Sequence, residues 1–345
     1  MTVLHRLSLL GAALALVGCA SVSPDGLRGD VAQLTAGRTA GVQAALPAAD
    51  AAAKAQAQES IQRWLAEPLT QDAAVRIALL NNPGLQARLA ALGVADAERV
   101  QAITLPNPHF TLGRFANSHE REIERTLAFS LLDLITLPWR TERQAERLQI
   151  ATLQAAQDVV TLAADTRRAW LRAVAAEQVA ATHERMVEAA EAGTELARRM
   201  ASVGNWSRLQ LAREQAVLHE AHRQRARARL AAATAREDLN RRLGVWGKQE
   251  QYQLAAQLPP LPAAALPADG IETTALRERL DVQAARRQLD TQAVRVGWSR
   301  AGAVFGDIGL AYQSNTATER GSGHRDTTRG WVLELPLPLF DWGGA

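Results

Sequence analysis

The sequence predicts a mainly α-helical chain that also carries a few transmembrane-type β-strands, and three observations lead there. Of 345 residues, 47% are hydrophobic but only 4% aromatic, a balance that suits long Ala-rich helices better than an aromatic-centred globule. Between Pro138 and Ala201 there is no further proline, and glycine occurs only at Gly193. One helix of roughly 64 residues, about 95 Å long, is expected there. The same order of elements also occurs twice, about 200 residues apart: a helical pattern, two alternating segments, and a joint rich in Leu and Trp.

Residues 1–18 read as a lipoprotein signal peptide. His5 and Arg6 supply charge, and Leu7 to Val17 form an apolar stretch too short to span a bilayer. Leu16-Val17-Gly18-Cys19 resembles the bacterial lipoprotein box, which implies diacylglycerol and acyl chains on Cys19, the sole cysteine. A lone thiol in an oxidising compartment has no disulfide partner, and acylation gives it a defined fate. Ala20 at the second mature position resembles the outer-membrane sorting pattern. Residues 19–62, rich in Ala, Gly, Ser and Thr, are expected to be a tether.

Residues 63–104 form the helical segment of the first repeat. Thr70 or Asp72 caps its first helix, Asn81-Asn82-Pro83 breaks it, and a second helix runs to about Thr104, stopped by Pro106 and Pro108. Residues 105–137 are expected to form a first β-hairpin. Phe110 and Leu112, then Leu127, Phe129 and Leu131, alternate with polar or small residues, and Asn117 to Arg125 reads as a charged turn. An isolated hairpin is marginal, and closure into an oligomeric barrel in the outer membrane would cover its apolar face.

Residues 138–247 read as a long helical hairpin. Its outgoing arm carries two apolar seams, one through Leu148, Ala155, Val159, Leu162, Ala169, Ala173, Ala176, Ala180, Val187 and Ala190, the other through Leu153, Ala156, Val160, Ala163, Trp170, Val174 and Ala181. Two seams predict two neighbours. Ser202 to Ser207 break the pattern with Gly204 and a Ser cap, and Arg208 to Leu243 return antiparallel for about 54 Å. A Pro-rich connector at 248–270 leads into the second copy: a helix at 271–303, a second β-hairpin at 304–341, and the start of a second helical hairpin at 342–345. In the repeat alignment Ala78-Leu79 falls on Ala275-Leu276, and Leu85-Gln86-Ala87 on Val282-Gln283-Ala284.

Several function classes are disfavoured. A net charge of +3 without a basic block does not imply nucleic acid. His219 and His222 share a helix face but lack zinc-protease spacing, and read as solvated; the other histidines are scattered, so no metal site or cofactor is expected. Glu120, Glu122 and Glu124 with Arg121 and Arg125 read as a loop facing lipopolysaccharide or water rather than an acid/base pair. No phosphate-binding loop or nucleophile elbow occurs. No enzymatic activity is expected, and energy must come from another protein.

Trp64 to Gly343 resembles the TolC family of outer-membrane efflux channels in its lipid-anchored branch. The likeness rests on Leu69-Thr70 with Ala73 to Pro83, on Thr136-Leu137-Pro138-Trp139-Arg140 and Leu339-Phe340-Asp341-Trp342-Gly343 as strand-to-helix joints, and on Ala201 to Arg213 as hairpin tip. It implies a homotrimer whose strands close one barrel and whose helices continue it as a periplasmic tunnel girdled by an equatorial belt. It further implies passive export of small toxic compounds or metal ions, with a periplasmic adaptor (membrane-fusion) protein and an inner-membrane pump of resistance-nodulation-division type as partners. Val203, Gly204, Asn205, Trp206 and Ser207 fall on the adaptor-contacting tip, where polar Asn205 replaces the usual aliphatic residue. Arg198, Arg199 and Arg208 are candidates for a tip latch with Glu195 or Glu214 of neighbouring helices. The family continues into a second long hairpin where this sequence ends, which implies either a fragment of a longer reading frame or a truncated gene. The alternative is a non-conducting periplasmic coiled-coil lipoprotein, or an inactive fragment of a channel.

Overall fold

The computed structural model describes residues 21–39, 41–42, 46, 51–261, 263, 269–304 and 308–335, with only the backbone for 293–304. The leader with Cys19 and the joint at Leu339 to Gly343 lie outside the described residues. The chain divides into two compact units, one of 25–91 and 152–280, the other of 1–24, 92–151 and 281–345.

In the first unit, two helices occupy the expected tether: α1 (Arg28–Thr35) and α2 (Ala51–Ala66). Composition suggested no structure there, but the Asp25 carboxylate accepts N–H bonds from Leu27 at 3.0 Å and Gly29 at 2.8 Å, organising the first turn. Burial of Val31 and Ile61 supplies the apolar contact that short helices need. α3 (Gln71–Asn81) starts at Thr70, whose hydroxyl accepts the Ala73 N–H at 3.2 Å. α4 (Pro83–Ile103) begins with proline at its first position, where a missing N–H costs nothing, and the Asn82 side chain accepts the Leu85 N–H at 3.0 Å.

The long helix α5 (Leu131–Ser202, 72 residues) and α6 (Arg208–Leu243) form the helical hairpin. Its buried centre lies where Trp170 and Val174 of α5 meet Leu239 and Leu243 of α6, with Ile61 of α2 and Ile77 of α3 closing the cluster. Trp170 Nε1 donates to the Leu69 carbonyl at 2.8 Å, giving a buried indole its partner. Leu153, Ala156, Ala163, Trp170 and Val174 of one seam are buried, as are Ala155, Val159, Ala169 and Ala173 of the other. Over this stretch most of both seams is covered within the chain, with Val160 and Leu162 half-buried, while Ala181 further along is exposed.

The carboxyl end of α6 is held by the break between α3 and α4. Asn81 Nδ2 donates to the Leu243 and Gly244 carbonyls at 3.1 and 2.7 Å, and Asn82 Nδ2 to that of Arg242 at 2.9 Å, satisfying carbonyls that a helix end leaves open. Gly244 has φ 68°, and a Cβ there would stand 2.6 Å from the Asn81 carbonyl oxygen. Tyr252 donates its hydroxyl to Asn240 Oδ1 at 2.8 Å, and burial pushes the phenol up to about 12.

The second repeat helix is two helices, α7 (Ile271–Glu278) and α8 (Leu280–Val304). Their break at Arg279 falls on Asn82 in the repeat alignment. The Asn82 N–H bonds the Ala78 carbonyl and the Arg279 N–H that of Ala275, each at 2.9 Å, with φ/ψ of −65°/118° and −66°/124°. The repeat therefore extends to individual backbone angles.

The other unit contains one antiparallel sheet of β1 (His109–Ala116), β2 (Glu120–Ser130), β3 (Gly309–Glu319) and β4 (Arg325–Glu334), in the order β1-β2-β3-β4. Two sequence expectations change here. The charged turn shrinks to Asn117–His119, because Glu120 to Arg125 pair along β2. The joint at Thr136 to Arg140 lies inside α5, which starts at Leu131. Ser130 Oγ accepts the Asp133 N–H at 3.3 Å, and Arg140 secures this first stretch through Asp133, by an ion pair to Oδ1 and a bond to the carbonyl, both 3.0 Å. The helix thus accommodates Pro138, which interrupts its ladder by lacking an N–H.

Candidate membrane sheet and hairpin tip

Alternation along each strand assigns every side chain in the sheet to one of two faces. The register places Phe110, Leu127, Tyr312 and Trp331 side by side on one of them. Tyr312 and Trp331 meet edge to face at 5.2 Å between ring centroids, and Thr327 donates to Thr316 Oγ1 at 3.3 Å on the same face. On the opposite face, a Cβ on Gly113 would meet the Phe115 ring and the Glu124 Cβ, as the register requires.

The two faces differ in chemistry. The first carries Phe110, Leu112, Leu127, Phe129, Leu310, Tyr312, Trp331 and Leu333, and among its large apolar side chains Phe110 is 64% and Trp331 68% exposed. All its charged residues are arginines: Arg114, Arg121, Arg125, Arg325 and Arg329. The second face carries Glu120, Glu122, Glu124, Glu319, Asp326 and Glu334 beside Ala, Gly, Thr, Gln and Asn, with no lysine or arginine. Its large apolar residues are Phe115 and Val332. Within the chain β1 and β4 each leave one edge unpaired among the described residues, and closure of a barrel would satisfy both. No described helix is long and apolar enough to cross a membrane.

At the hairpin tip, α5 ends in a Schellman motif. The Asn205 N–H bonds the Met200 carbonyl at 2.9 Å and the Gly204 N–H that of Ala201 at 3.1 Å, with Gly204 at φ 82°. Ser207 and Gln210 form a reciprocal capping box that starts α6. Val203, Gly204, Asn205 and Ser207 are exposed and Trp206 is half-buried, so the five residues form a compact projecting turn. Val203 is 70% and Leu209 63% exposed.

Within the single chain the latch residues fall into two groups. Glu195 pairs with Arg198 at 2.6 Å and with Arg199 at 2.9 Å, all within α5. Hydrogen bonds from Arg199 and then Arg198 hold its carboxyl below the ordinary value. Spacing of three and four residues brings these groups together on one helix face. Arg208 and Glu214 form no ion pair within the chain among the described residues; Glu214 contributes its carbonyl to the Thr194 hydroxyl at 3.3 Å. His222 stands 3.9 Å from Glu191, and no grouping able to hold a metal occurs among the described residues.

Sequence reasoning missed the acidic face, although the signal was present: Glu-Arg-Glu-Ile-Glu-Arg from Glu120 to Arg125 alternates with the period of a strand. Read as a turn, its charges had no sides.

No family model matches the chain, and no curated protein matches it. Solved structures do. The chain is similar to CusC, whose structures concern folding and transmembrane channel formation, with TM-score 0.62 and 18% identity over 80% of this chain and 67% of that one. It is similar to the Campylobacter jejuni CmeC outer membrane channel, with TM-score 0.63 and 17% identity over 77% and 61%. It is also similar to the open state of the Neisseria gonorrhoeae MtrE outer membrane channel, with TM-score 0.57 and 18% identity over 77% and 63%. At these identities the likeness establishes the fold, and the chain spans roughly two thirds of the length of the structures it matches.

Proposed function

We propose that this chain, whose fold is that of TolC-like outer-membrane channels, is the passive outer-membrane duct of a tripartite efflux system. The observation that carries the reading is the sheet with one face that exposes aromatic and aliphatic side chains, one acidic face and, among the described residues, two unpaired edges. A lipid-facing wall and a water-filled interior require those two surfaces, and copies joined edge to edge pair every backbone group. Three copies around one axis would place Glu122, Glu124 and Asp326 on the lumen, favouring small cations and cationic toxic compounds or metal ions over anions. The absence of a nucleotide or catalytic constellation in the sequence agrees with a duct that draws its energy elsewhere.

In this reading Cys19 carries the lipid anchor. The turn at Val203 to Ser207 meets a periplasmic adaptor, which couples the duct to an inner-membrane pump of resistance-nodulation-division type. The Arg208 and Glu214 side chains, which form no ion pair among the described residues, are available to pair across copies as a tip latch; Glu195 is already engaged.

The test is reconstitution of the full chain in planar bilayers with chemical crosslinking in parallel. Crosslinked trimers and cation-preferring steps of conductance are expected. A chain that stays monomeric and passes no current would overturn the duct and favour a non-conducting envelope lipoprotein. Mass spectrometry of the protein from its native envelope tests the anchor separately, with acyl chains on Cys19 as the expected result.

A further inference from the structure

We propose that Arg114, Arg121, Arg125, Arg325 and Arg329 form a phosphate-binding belt for the anionic lipid of the outer leaflet. This rests on the membrane-spanning reading of the sheet and adds a lipid partner to it.

The arginines are not scattered over their face. Phe129, Leu310 and Leu333, followed by Phe110, Leu127, Tyr312 and Trp331, occupy the end nearest the helices. Beyond this band, moving toward the turns, come Arg125 and Arg329, then Arg114, then Arg121 and Arg325. Successive levels are separated by about 7 Å, because two residues advance a strand by that distance. Between the arginines lie Ser314, Thr316, Thr318 and Thr327, with Leu112 and Ile123 continuing the apolar surface.

No carboxylate shares this face, and none of these arginines forms an ion pair among the described residues; Arg125 makes only a long bond, Nη1 to Thr316 Oγ1 at 3.4 Å. Elsewhere arginines find acids readily, as in Arg236–Glu177 at 2.7 Å and Arg242–Asp165 at 3.0 Å. Charge on the lipid side of a barrel is costly near the bilayer midplane and becomes tolerable toward the interface. Arginine stems lie along apolar surface while their guanidinium groups reach headgroup depth, where they engage phosphate bidentately. An aromatic band with unpaired guanidinium groups on one side of it and hydroxyls between them therefore fits a layer of lipid phosphates. The acidic face repels the same groups, so the sheet can bind them on one side only.

The experiment compares the full chain in vesicles of phosphatidylcholine containing a small fraction of spin-labelled lipid A, either bisphosphorylated or dephosphorylated. Protease protection of the sheet in pure phosphatidylcholine vesicles reports membrane insertion independently. The chain should insert in all vesicles and select the phosphorylated lipid by at least about fivefold, each basic residue at the surface adding attraction. The Arg114→Gln, Arg325→Gln, Arg329→Gln triple variant should insert as before and lose the selectivity. Glu122→Gln with Asp326→Asn, on the opposite face, should insert and keep it. Insertion without phosphate selectivity, or full selectivity in the triple variant, overturns the belt and leaves the spanning sheet intact. Failure of the unaltered chain to insert in any vesicle overturns both.

Discussion

The two ends of the helical hairpin are made of the same helices and held in different ways. Around Trp170 and Leu243 the arms enclose a buried cluster completed by α2 and α3, with an indole hydrogen bond and Asn81 and Asn82 securing the end of α6. Toward the tip only isolated positions such as Ala197 and Thr194 are buried, while Leu196, Val203, Leu209 and Val217 are exposed. Polar pairs between the arms there, such as Glu184–Arg229 at 2.5 Å, are solvent-facing, and exposed pairs of this kind stabilise by less than about 1 kcal/mol. One end is fixed by its own chain; the other presents apolar surface that an assembly would cover.

That contrast ranks the substitutions. Trp170→Ala should be the most damaging, at about 3–5 kcal/mol, since it opens a cavity and leaves the Leu69 carbonyl without its donor. Chemical denaturation of the detergent-purified chain measures it, and a loss below about 1 kcal/mol would erase the distinction between the ends. Gly244→Ala should cost about 1–3 kcal/mol, combining a left-handed backbone with a collision at the Asn81 carbonyl.

Tyr252 sharpens the comparison through pH. Because the folded state holds the phenol proton more tightly than the unfolded chain, its stabilising contribution is complete below pH 10 and is lost as pH rises through about 12. Tyr252→Phe should remove that alkaline loss from the pH profile of thermal unfolding. At the tip, Ser207→Ala should cost about 1 kcal/mol and fray the start of α6, visible as faster amide exchange near Leu209 without change around Trp170.

Much of this was legible in the residues. Thr70, Gly204 and Ser207 act where the sequence places them, because a cap or a left-handed turn depends on atoms only a few residues away. The same locality misled at Pro138, where proline suggested a helix start; the Arg140–Asp133 contacts support a helix that had already begun at Leu131. Residues 51–62 read as part of the tether, yet Ile61 lies in the core, since a stretch whose apolar content is mostly alanine carries few large side chains to mark its buried face.

At the sheet the limit of sequence is clearest. Alternation at Glu120 to Arg125 carries the information that charges of opposite sign lie on opposite sides, but not which side each joins. By itself, then, the sequence determined the long helix, the tip turn, the repeat and the existence of strands, because periodicity, caps and prolines act over one or two turns of chain. Only the tertiary structure decided that Arg125 lies against Thr316, 191 residues away, and so gathered the arginines on one face and the carboxylates on the other. A shift of one residue in that pairing would exchange the faces of a whole strand, and no local pattern fixes a register between such distant segments.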